Sequence, residues 1–268
     1  MSIMELSIIV VHFRKPAMLK LCLDSIHKSL TAMPTIDYEL IVVDSMTQPE
    51  HKRLVRERYP NIIFLDFKEN LGYSRAVNLG LKQATGDYLL ILNYDVVVSD
   101  TAITNMLSYM QKHPDIGMLG PQLRNFNNSH QPSYFRFYTP RAIIARRTPL
   151  GKLDYFKAMA NDFLMTETDP QTVQTPDWVM GSAMMISRKA YEQVGGMDER
   201  FFMYFEDVDW CRRIWQAGFK VVYQPRAIMY HYLGRGSKSR LGIFDVFFNK
   251  RTHWHIASAI KYFLKYCR

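Results

Sequence analysis

The chain has 268 residues, of which 48% are hydrophobic and 22% are charged. This length and balance are typical of one folded domain of α/β size and exclude an intrinsically disordered protein. The formal net charge of +9 is concentrated near the C-terminus, because residues 234–268 hold eight Lys or Arg and one acidic residue. Such a basic segment is typical of proteins with an anionic partner, for example phospholipid head groups, a diphosphate or nucleic acid.

Two other features of the composition narrow the class of protein. The longest apolar runs, such as IIVV and LLIL, fall far short of the ~18 residues of a spanning helix, and the N-terminus lacks the basic region of a signal peptide. The three cysteines show no metal-binding spacing. They are typical of reduced thiols, so we expect a cytoplasmic protein.

The first half of the chain alternates strand-like and helix-like segments. Apolar runs predict strands at residues 6–13, 38–45, 61–67 and 87–98. Helix-compatible segments lie between them, at residues 16–30, 49–59, 73–85 and 101–113. Several strands lack polar alternation, which indicates a parallel sheet with helices on both faces. Ligands of such sheets bind beyond the carboxyl ends of the strands. The polar residues at these ends are His12, Asp44, Asp66, Asn93 and Asp95.

The second half is less regular. Residues 124–176 are polar and rich in proline, which predicts a long and partly irregular excursion of the functional kind. Residues 177–188 return to a strand-like run, and the aromatic stretch FFMYF follows at 201–205. Residues 250–268 predict an amphipathic helix. Its apolar face would carry Ile256, Ile260, Phe263 and Leu264. Two interpretations of this helix are open: it docks on the domain with solvated lysines, or it lies on an anionic membrane surface.

Three carboxylates follow the aromatic stretch. The macrodipole favours acids in the first turn of a helix, and Asp209 stands four residues before Arg213, a stabilising spacing. This structural role accounts for Asp209. Glu206 and Asp207 are different, because apolar surroundings raise the pKa of a carboxyl group toward the range useful for a general base. A structural and a catalytic role are both open for this pair.

Asp95 and His231 each follow a buried strand. Asp95 either caps its strand or supplies an oxygen ligand to Mg²⁺ or Mn²⁺ that bridges phosphates. Asn93 adds only a neutral oxygen, and a single histidine such as His231 is more often structural than a ligand. After His231 comes a glycine-containing turn with Arg235 and Arg240, which suits an anionic group.

Asp44 closes the strand LIVVD. It either caps that strand or accepts hydrogen bonds from a nucleotide base or ribose.

Taken together, these motifs resemble glycosyltransferase family 2, the inverting enzymes with the nucleotide-diphospho-sugar transferase (GT-A) fold. The resemblance covers about residues 5–233 and is closest to the bacterial rhamnosyltransferase and polysaccharide-assembly branch. Its motifs are SIIVVHF, VVDS, NLGYSRAVNLGLKQATGDYLLILNYD and the block from WVMGS to the end of AIMYH. The resemblance implies an α/β GT-A fold: a mostly parallel, Rossmann-like sheet with helices on both faces, plus a C-terminal amphipathic helix. Residues 1–233 would form the GT-A domain, with 124–176 as its acceptor-side excursion, and residues 234–268 a basic, aromatic tail.

The resemblance also implies a role for each matching residue. Asp207 would be the catalytic base, and Glu206 would contact the acceptor or tune Asp207. Asp95 and His231 would bind the divalent cation, Mn²⁺ or Mg²⁺, and Asp44 would read the nucleotide. The remaining expected donor contacts are Asn70, Gly72, Arg75, Asn78, Asn93, Arg235 and Arg240. The expected acceptor contacts are Gly181 and the stacking ring of Trp178.

The reaction implied is inverting transfer of a sugar, with rhamnose favoured, from a dTDP- or UDP-linked donor to a saccharide acceptor. The acceptor would be linked to polyprenyl diphosphate and belong to bacterial cell-surface polysaccharide assembly. The enzyme would work in the cytoplasm, with peripheral contact to the inner face of the membrane through its basic tail. No nucleic-acid partner is expected.

The sequence departs from the family in two places. The metal triplet reads Asn93-Tyr94-Asp95, so its first acid is absent. This indicates modest metal affinity and leaves one alternative open, a catalytically silent sugar-nucleotide-binding or scaffold protein of the same fold. The first strand ends in HFR, at residues 12–14, where the family often has Asn-Tyr-Asn. This second difference lies near the site expected to bind the nucleotide base.

Other classes of protein fit less well. A nicotinamide dehydrogenase needs a G-x-G-x-x-G turn after its first strand, where this chain has HFRKPAML. A sugar nucleotidyltransferase would carry a glycine-rich, arginine-bearing loop there. A nucleic-acid-binding protein would leave Asp44, Asp95 and Asp207 without a role.

Overall fold

The buried strand β1, Leu6–Phe13, lies inside the central sheet, and seven of its eight residues are buried. It pairs in parallel with β2, Tyr38–Ser45, on one side and with β4, Tyr88–Asn93, on the other. Strand β3, Ile63–Phe67, continues the parallel order beyond β2. Because both faces of this sheet are covered, β1 shows the unbroken apolar pattern that the sequence displayed.

The computed structural model describes residues 4–46, 48–147, 152–232 and 249–266. The other strands are β5 Val96–Val98, β6 Ile116–Arg124, β7 His130–Gln131, β8 Tyr134–Phe135, β9 Trp178–Val179, β10 Ala183–Ser187 and β11 Lys220–His231. The helices are α1 Pro16–Thr31, α2 Pro49–Arg58, α3 Tyr73–Gln83, α4 Ala102–Lys112, α5 Pro140–Arg147, α6 Asp154–Leu164, α7 Arg188–Val194, α8 Glu206–Gln216 and α9 Lys250–Tyr266. The predicted alternation of strands and helices in the first half is confirmed.

The central sheet has the strand order β3-β2-β1-β4-β10-β6-β11-β5, with β7 added to β6. The predicted α/β class is confirmed, and the sheet is parallel from β3 to β4 but mixed beyond it. Strand β10 runs antiparallel to both β4 and β6, whereas β11 is parallel to β6. The reason is where β10 begins: the N–H of Asn93, at the carboxyl end of β4, donates to the carbonyl oxygen of Ser182 at 2.8 Å. From that point the chain must run back along β4.

Two apolar layers cover the sheet, as predicted for helices on both faces. One layer packs α1 and α4 against β1, through residues such as Leu23 and Met106. The other packs α3, α7 and α8 on the opposite face, through residues such as Val77, Ala190 and Trp210.

Residues 124–176, predicted to be partly irregular, contain α5, α6 and two short strands. Their order comes from aromatic packing. The Phe135 ring stacks on Phe163 and on Trp178, with centroids 5.7 and 4.6 Å apart, and Tyr134 packs on Tyr223 at 4.2 Å. Scattered aromatic residues in a polar segment give no helical or strand periodicity, so the sequence did not predict these elements.

Helix α9 docks on α8 through a buried carboxylate. Asp209 is fully buried and accepts hydrogen bonds from Arg213 Nε (2.9 Å), Lys265 Nζ (2.6 Å) and the hydroxyl of Tyr266 (2.7 Å). The predicted pairing of Asp209 with Arg213 is confirmed. Because Lys265 and Tyr266 of α9 also donate to Asp209, this carboxylate holds the C-terminal helix on the domain.

The buried face of α9 differs from the one that the apolar pattern predicted. Tyr262 and Ser258 are buried, whereas Ile256, Ile260 and Leu264 are 40%, 55% and 66% exposed. The helix therefore docks and still presents an apolar stripe outward. Across the four described ranges, no helix is both long enough and apolar enough to span a membrane.

We predict that Asp209→Asn lowers the free energy of unfolding by about 3 kcal/mol, because it leaves the cations of Arg213 and Lys265 without their buried partner. Chemical unfolding followed by circular dichroism measures this change. The control is Asp100→Asn, which breaks an exposed pair with Lys28 at 2.9 Å and should change stability by less than about 1 kcal/mol. Equal effects of the two substitutions would contradict the structural role given to Asp209.

Candidate active site

One edge of the sheet gathers the polar residues that end the buried strands. His12 is paired with Asp44 in the β1–β2 register, and Val11 with Asn93 in the β1–β4 register. His231 ends β11 and is paired with Val96 of β5. These strand ends therefore lie along one edge of the sheet, called the cleft below, where the carboxyl ends of parallel strands place a ligand site.

His12 and Asp44 form a buried pair at one end of this cleft. Their side chains are 2% and 1% exposed, and His12 Nδ1 lies 2.7 Å from Asp44 Oδ1. The other ring nitrogen, Nε2, accepts the backbone N–H of Lys15 at 3.0 Å. The second carboxylate oxygen, Asp44 Oδ2, is buried without a hydrogen-bond partner among the described residues.

Asp95 and His231 face each other further along the cleft, with Asp95 Oδ1 and His231 Nε2 3.6 Å apart. Burial raises the pKa of Asp95 to about 6 and lowers the pKa of His231 to about 4. At neutral pH the two groups are thus a carboxylate and an uncharged imidazole. Within the described residues, no cluster of three or more His, Cys, Asp or Glu side chains is placed to hold a metal.

Gln131 is the partner of His231 on the side away from Asp95. Its side chain is 2% exposed, and its Nε2 lies 3.0 Å from His231 Nδ1. A glutamine amide presents either its N–H or its carbonyl oxygen to such a nitrogen. With the oxygen presented, Nδ1 carries the proton and the lone pair of Nε2 points at Asp95. Gln131 therefore orients the imidazole in either arrangement.

The carboxylate pair lies at the start of α8. Asp207 accepts the backbone N–H of Gly181 on Oδ2 and that of Val208 on Oδ1, both at 2.9 Å. A Cβ at residue 181 would lie 3.1 Å from the Asp207 Cβ, so glycine lets the backbone approach the carboxylate this closely. The hydroxyl of Tyr73 donates to the carbonyl oxygen of the same glycine. These bonds hold Asp207 in one orientation.

The two carboxyl groups differ in their tendency to ionise. Burial, and then the charge of Asp207, raise the pKa of Glu206 well above its usual range. Burial also raises the pKa of Asp207, but the N–H donors of Gly181 and Val208 oppose that rise. Asp207 is therefore the group that ionises first, and Glu206 keeps its proton beside it. These environments suit Asp207 to act as a base and Glu206 to act as a hydrogen-bond donor.

The aromatic stretch before Glu206 forms a strained turn. Tyr204 and Phe205 have φ angles of +71° and +67°, in the left-handed region that bulky residues avoid. Helix α9 covers this turn: the ring of His255 lies 5.0 Å from Tyr204 and 5.4 Å from Phe205. The hydroxyl of Ser258 donates to the carbonyl oxygen of Met203 at 2.9 Å. The aromatic residues thus serve to fix where α8 begins.

The predicted donor-side residues near α3 have mainly structural contacts. Gly72, with φ +73°, leaves space for Phe202, whose ring would lie 2.6 Å from an added Cβ. Asn70 Oδ1 accepts the N–H of Gly72 at 3.1 Å. Asn78 bonds the backbone N–H and carbonyl oxygen of Met197, both at 2.8 Å.

Arg75 is exposed and lies 3.2 Å from Glu69. Asn93 contributes its backbone to the 182 turn, as described above. Arg235 and Arg240 lie outside the described residues.

Trp178 is placed differently from the prediction. Its ring is 6% exposed and stacks on Phe135 and Tyr138, with centroids 4.6 and 5.7 Å away, and its indole N–H donates to the carbonyl oxygen of Arg136. The ring has no open face for a sugar, because aromatic neighbours in 124–176 cover it.

The cleft also collects buried polar atoms that lack a hydrogen-bond partner. Among the described residues there are five such side-chain atoms, and each belongs to a residue of this edge. They are Asp44 Oδ2, Asp95 Oδ1, Gln131 Oε1, Ser182 Oγ and Glu206 Oε2. Buried polar groups are nearly always hydrogen-bonded, so this concentration marks a site built for a polar ligand.

The sequence did not assign a role to Tyr73, Gln131 or Ser182. Tyr73 and Ser182 stand inside motifs that carried the resemblance, so proximity to Gly72 and Gly181 was the available signal. Gln131 lies in the polar excursion, and no sequence signal marks it, because only the pairing of β7 with β6 brings it to His231.

We predict that His231 in the metal-free protein stays uncharged down to about pH 4. The unfolded chain has the higher pKa, so the contribution of His231 to stability is complete above about pH 6.5 and is lost as the pH falls below it. An NMR titration of histidine-labelled protein, with His231→Gln to assign the signal, measures the midpoint. A midpoint near 6.5 would contradict the buried placement.

Comparison with known proteins agrees with this geometry. Residues 7–195 match the family model for Glycosyl transferase family 2, and residues 167–233 match one described as the N-terminal domain of galactosyltransferase. Over 188 residues the chain is 32% identical to the N-acetylglucosaminyl-diphospho-decaprenol L-rhamnosyltransferase of Mycobacterium tuberculosis, covering 66% of this chain and 60% of that protein. It is 25% identical over 188 residues to the rhamnosyltransferase WbbL of Escherichia coli, covering 68% and 63%. The chain thus spans less than two thirds of either relative.

Solved structures show the same fold. The mannosyltransferase PcManGT from Pyrobaculum calidifontis, in complex with GDP-Man and Mn²⁺, matches 87% of this chain and 59% of its own at a TM-score of 0.60 and 17% identity. GalNAc-T7 with UDP, GalNAc and Mn²⁺ matches 85% and 43% at a TM-score of 0.62 and 16% identity. The chain has the GT-A fold and belongs to glycosyl transferase family 2.

Proposed function

We propose that this protein is an inverting glycosyltransferase that moves a sugar, with rhamnose favoured, from a nucleotide-diphosphate donor to a lipid-linked saccharide. The observation that carries the proposal is the set of five unpartnered polar atoms along one cleft, beside a carboxylate held in a single orientation. The choice of rhamnose is supported by the names of two relatives, and the choice of a diphospho-polyprenol acceptor by the name of the first of them. The product would belong to cell-surface polysaccharide assembly.

The donor would lie across the strand ends, with its base at Asp44 and its diphosphate near Asp95 and His231. A divalent cation fits the second position, because Asp95 Oδ1 has no partner and lies 3.6 Å from an uncharged imidazole nitrogen. Mg²⁺ and Mn²⁺ are commonly held by one or two protein ligands together with substrate phosphates. When bound, the cation would neutralise charge on the leaving diphosphate. The cations in two solved structures of this fold support this assignment.

Asp207 would act as the catalytic base. Its two backbone N–H donors favour the ionised form and aim the carboxylate into the cleft. It removes the proton from an acceptor hydroxyl while the hydroxyl oxygen bonds to the anomeric carbon. The bond from that carbon to the diphosphate oxygen breaks in the same step, on the opposite face, so configuration inverts. Glu206, which keeps its proton, donates a hydrogen bond to the acceptor. Because it is neutral, it places no second negative charge beside Asp207.

We predict that Asp207→Asn lowers transfer at least about 10²-fold and leaves donor binding within about threefold, because only proton removal is lost. Transfer is measured with nucleotide-diphosphate sugars and a diphospho-polyprenol saccharide, and binding by calorimetry with Mn²⁺ or with EDTA. Arg53→Gln, at an exposed pair with Glu57, is the control for a general effect of substitution. Full turnover by the Asn variant would contradict the assignment of the base. Donor binding without any transfer by the wild-type protein would favour the silent scaffold.

We also propose that the outer stripe of α9, formed by Ile256, Ile260 and Leu264, rests on an anionic membrane surface. The stripe is exposed, and Lys261 lies among its residues while no acidic residue is present in α9. An apolar stripe with flanking cations is the pattern of a helix at a membrane interface. The buried face of the same helix covers the turn before Glu206. A lipid-linked acceptor would then meet the carboxylates from the membrane side.

We predict that the protein floats with vesicles containing anionic phospholipid, and that Ile256→Ser, Ile260→Ser and Leu264→Ser together reduce binding at least tenfold. The three sites are exposed, so the fold should be unaffected. The matched control replaces Leu54 and Leu153, which are 58% and 56% exposed elsewhere, with serine. Failure of the wild-type protein to float, or equal binding by both variants, would contradict this proposal.

A further inference from the structure

We infer that the side-chain hydroxyl of Ser182 binds a hydroxyl group of the transferred sugar and so helps to select the donor. This inference rests on the proposed function, because it adds one contact in the same cleft. Ser182 Oγ is one of the five buried polar atoms that have no hydrogen-bond partner among the described residues. The residue is 4% exposed, and the proposed mechanism leaves its hydroxyl without a task.

Ser182 lies in the short turn between β9 and β10, and this turn contacts both sides of the cleft. On one side, the N–H of the preceding Gly181 donates to Asp207 at 2.9 Å. On the other side, the carbonyl oxygen of Ser182 accepts the N–H of Asn93 at 2.8 Å. Asn93 stands two residues before Asp95. The turn therefore connects the proposed base with the strand end that leads to the proposed cation site.

The transferred sugar would lie between these two sides. In the proposed reaction its anomeric carbon is bonded to the diphosphate, near Asp95, and is attacked by the acceptor oxygen beside Asp207. These two bonds are on opposite faces of that carbon, so the sugar ring occupies the space between the two carboxylates. A serine side chain ends one bond beyond Cβ, so the hydroxyl of Ser182 stays beside the turn. It therefore borders the space that the sugar would fill.

A sugar hydroxyl is the partner that matches this group. A serine hydroxyl donates one hydrogen bond and accepts two, and a sugar hydroxyl does the same. A buried hydroxyl without a partner is costly, and a ligand that pairs with it removes this cost. A site with such a group rejects a sugar that lacks a hydroxyl at the matching position, because the buried group then stays unpaired.

The fold alone leaves the choice of sugar open. Solved structures with the same fold hold GDP-Man in one case and UDP with GalNAc in another. Selection therefore depends on the side chains that border the sugar. Ser182 adds to them a neutral group, which can pair with a sugar hydroxyl without competing for the cation at Asp95.

The test is calorimetric binding, with Mn²⁺ present, to the wild-type protein and to Ser182→Ala. The ligands are dTDP-rhamnose, UDP-glucose, UDP-galactose, UDP-N-acetylglucosamine and GDP-mannose, together with free dTDP, UDP and GDP. We expect Ser182→Ala to bind the preferred nucleotide sugar about tenfold more weakly and the matching nucleoside diphosphate within about twofold, because only a contact to the sugar is lost. Donors that lack one sugar hydroxyl at a time then identify the contacted group, since the donor without that group binds both proteins equally.

Ser133→Ala is the matched control, because the buried hydroxyl of Ser133 has a partner, the carbonyl oxygen of Pro121 at 3.2 Å. This control should lower the unfolding temperature and leave the ratio of nucleotide-sugar to nucleotide binding unchanged. Ser182→Ala should show the opposite pattern. It removes a group without a partner, so its unfolding temperature should equal or exceed that of the wild type.

Each outcome is decisive. Equal binding of the preferred nucleotide sugar by the wild type and Ser182→Ala would overturn the inference and leave the proposed function intact. An equal loss of affinity for the free nucleoside diphosphate would also overturn it, because the hydroxyl would then face the diphosphate. A lower unfolding temperature for Ser182→Ala would do the same, since the hydroxyl would then be a structural group. No binding of any ligand by the wild type would remove the proposed function and the inference together.

Discussion

The geometry of the cleft depends on a turn that a free chain would avoid. Tyr204 and Phe205 hold consecutive left-handed conformations, each of which costs about 1–3 kcal/mol for such residues. Contacts on two sides offset this cost: α9 packs over the turn, and the backbone N–H of Tyr73 donates to the carbonyl oxygen of Phe202 at 2.8 Å. The hydroxyl of Ser74 donates to the carbonyl oxygen of Phe201 at 2.5 Å. Helix α8 consequently begins at Glu206, with its first two carboxylates directed at the strand ends.

The same constraint explains why acids and aromatic residues stand together in the sequence. The aromatic side chains anchor the turn, and the turn carries the acids that follow toward the interior, so that Glu206 is buried and Asp207 half-buried. The desolvation of Glu206, whose Oε2 has no partner among the described residues, lowers stability. Asp209 shows the alternative, since its three donors satisfy it fully. Three acids within four residues thus divide into Asp209, which stabilises the fold, Asp207, which backbone N–H groups hold in one orientation, and Glu206, whose Oε2 has no partner among the described residues.

Much of this arrangement could be predicted from the sequence, and the rest depends on contacts distant along the chain. Buried strands with polar ends predicted the sheet and the edge that bears the site, because burial on both faces leaves a direct mark on composition. The pairing of Asp209 with Arg213 was also local. The burial of Trp178 and the partnership of Gln131 with His231 were not, since both join segments about 40 to 100 residues apart. Periodicity predicted the apolar stripe of α9 but left open whether it packs on the domain, because periodicity identifies an apolar face and not the surface that the face contacts.

The absence of an acid at residue 93 affects how the cation and the donor would bind. A single carboxylate and a neutral imidazole, separated by 3.6 Å, give a cation far less attraction than an acidic triplet does. In the proposed enzyme most of the negative charge that holds the cation would come from the donor diphosphate. Cation and donor would then stabilise each other in the cleft, and neither would bind tightly alone. Gln131 becomes important in that case, because with one carboxylate fewer, a correctly oriented His231 supplies a larger share of the coordination.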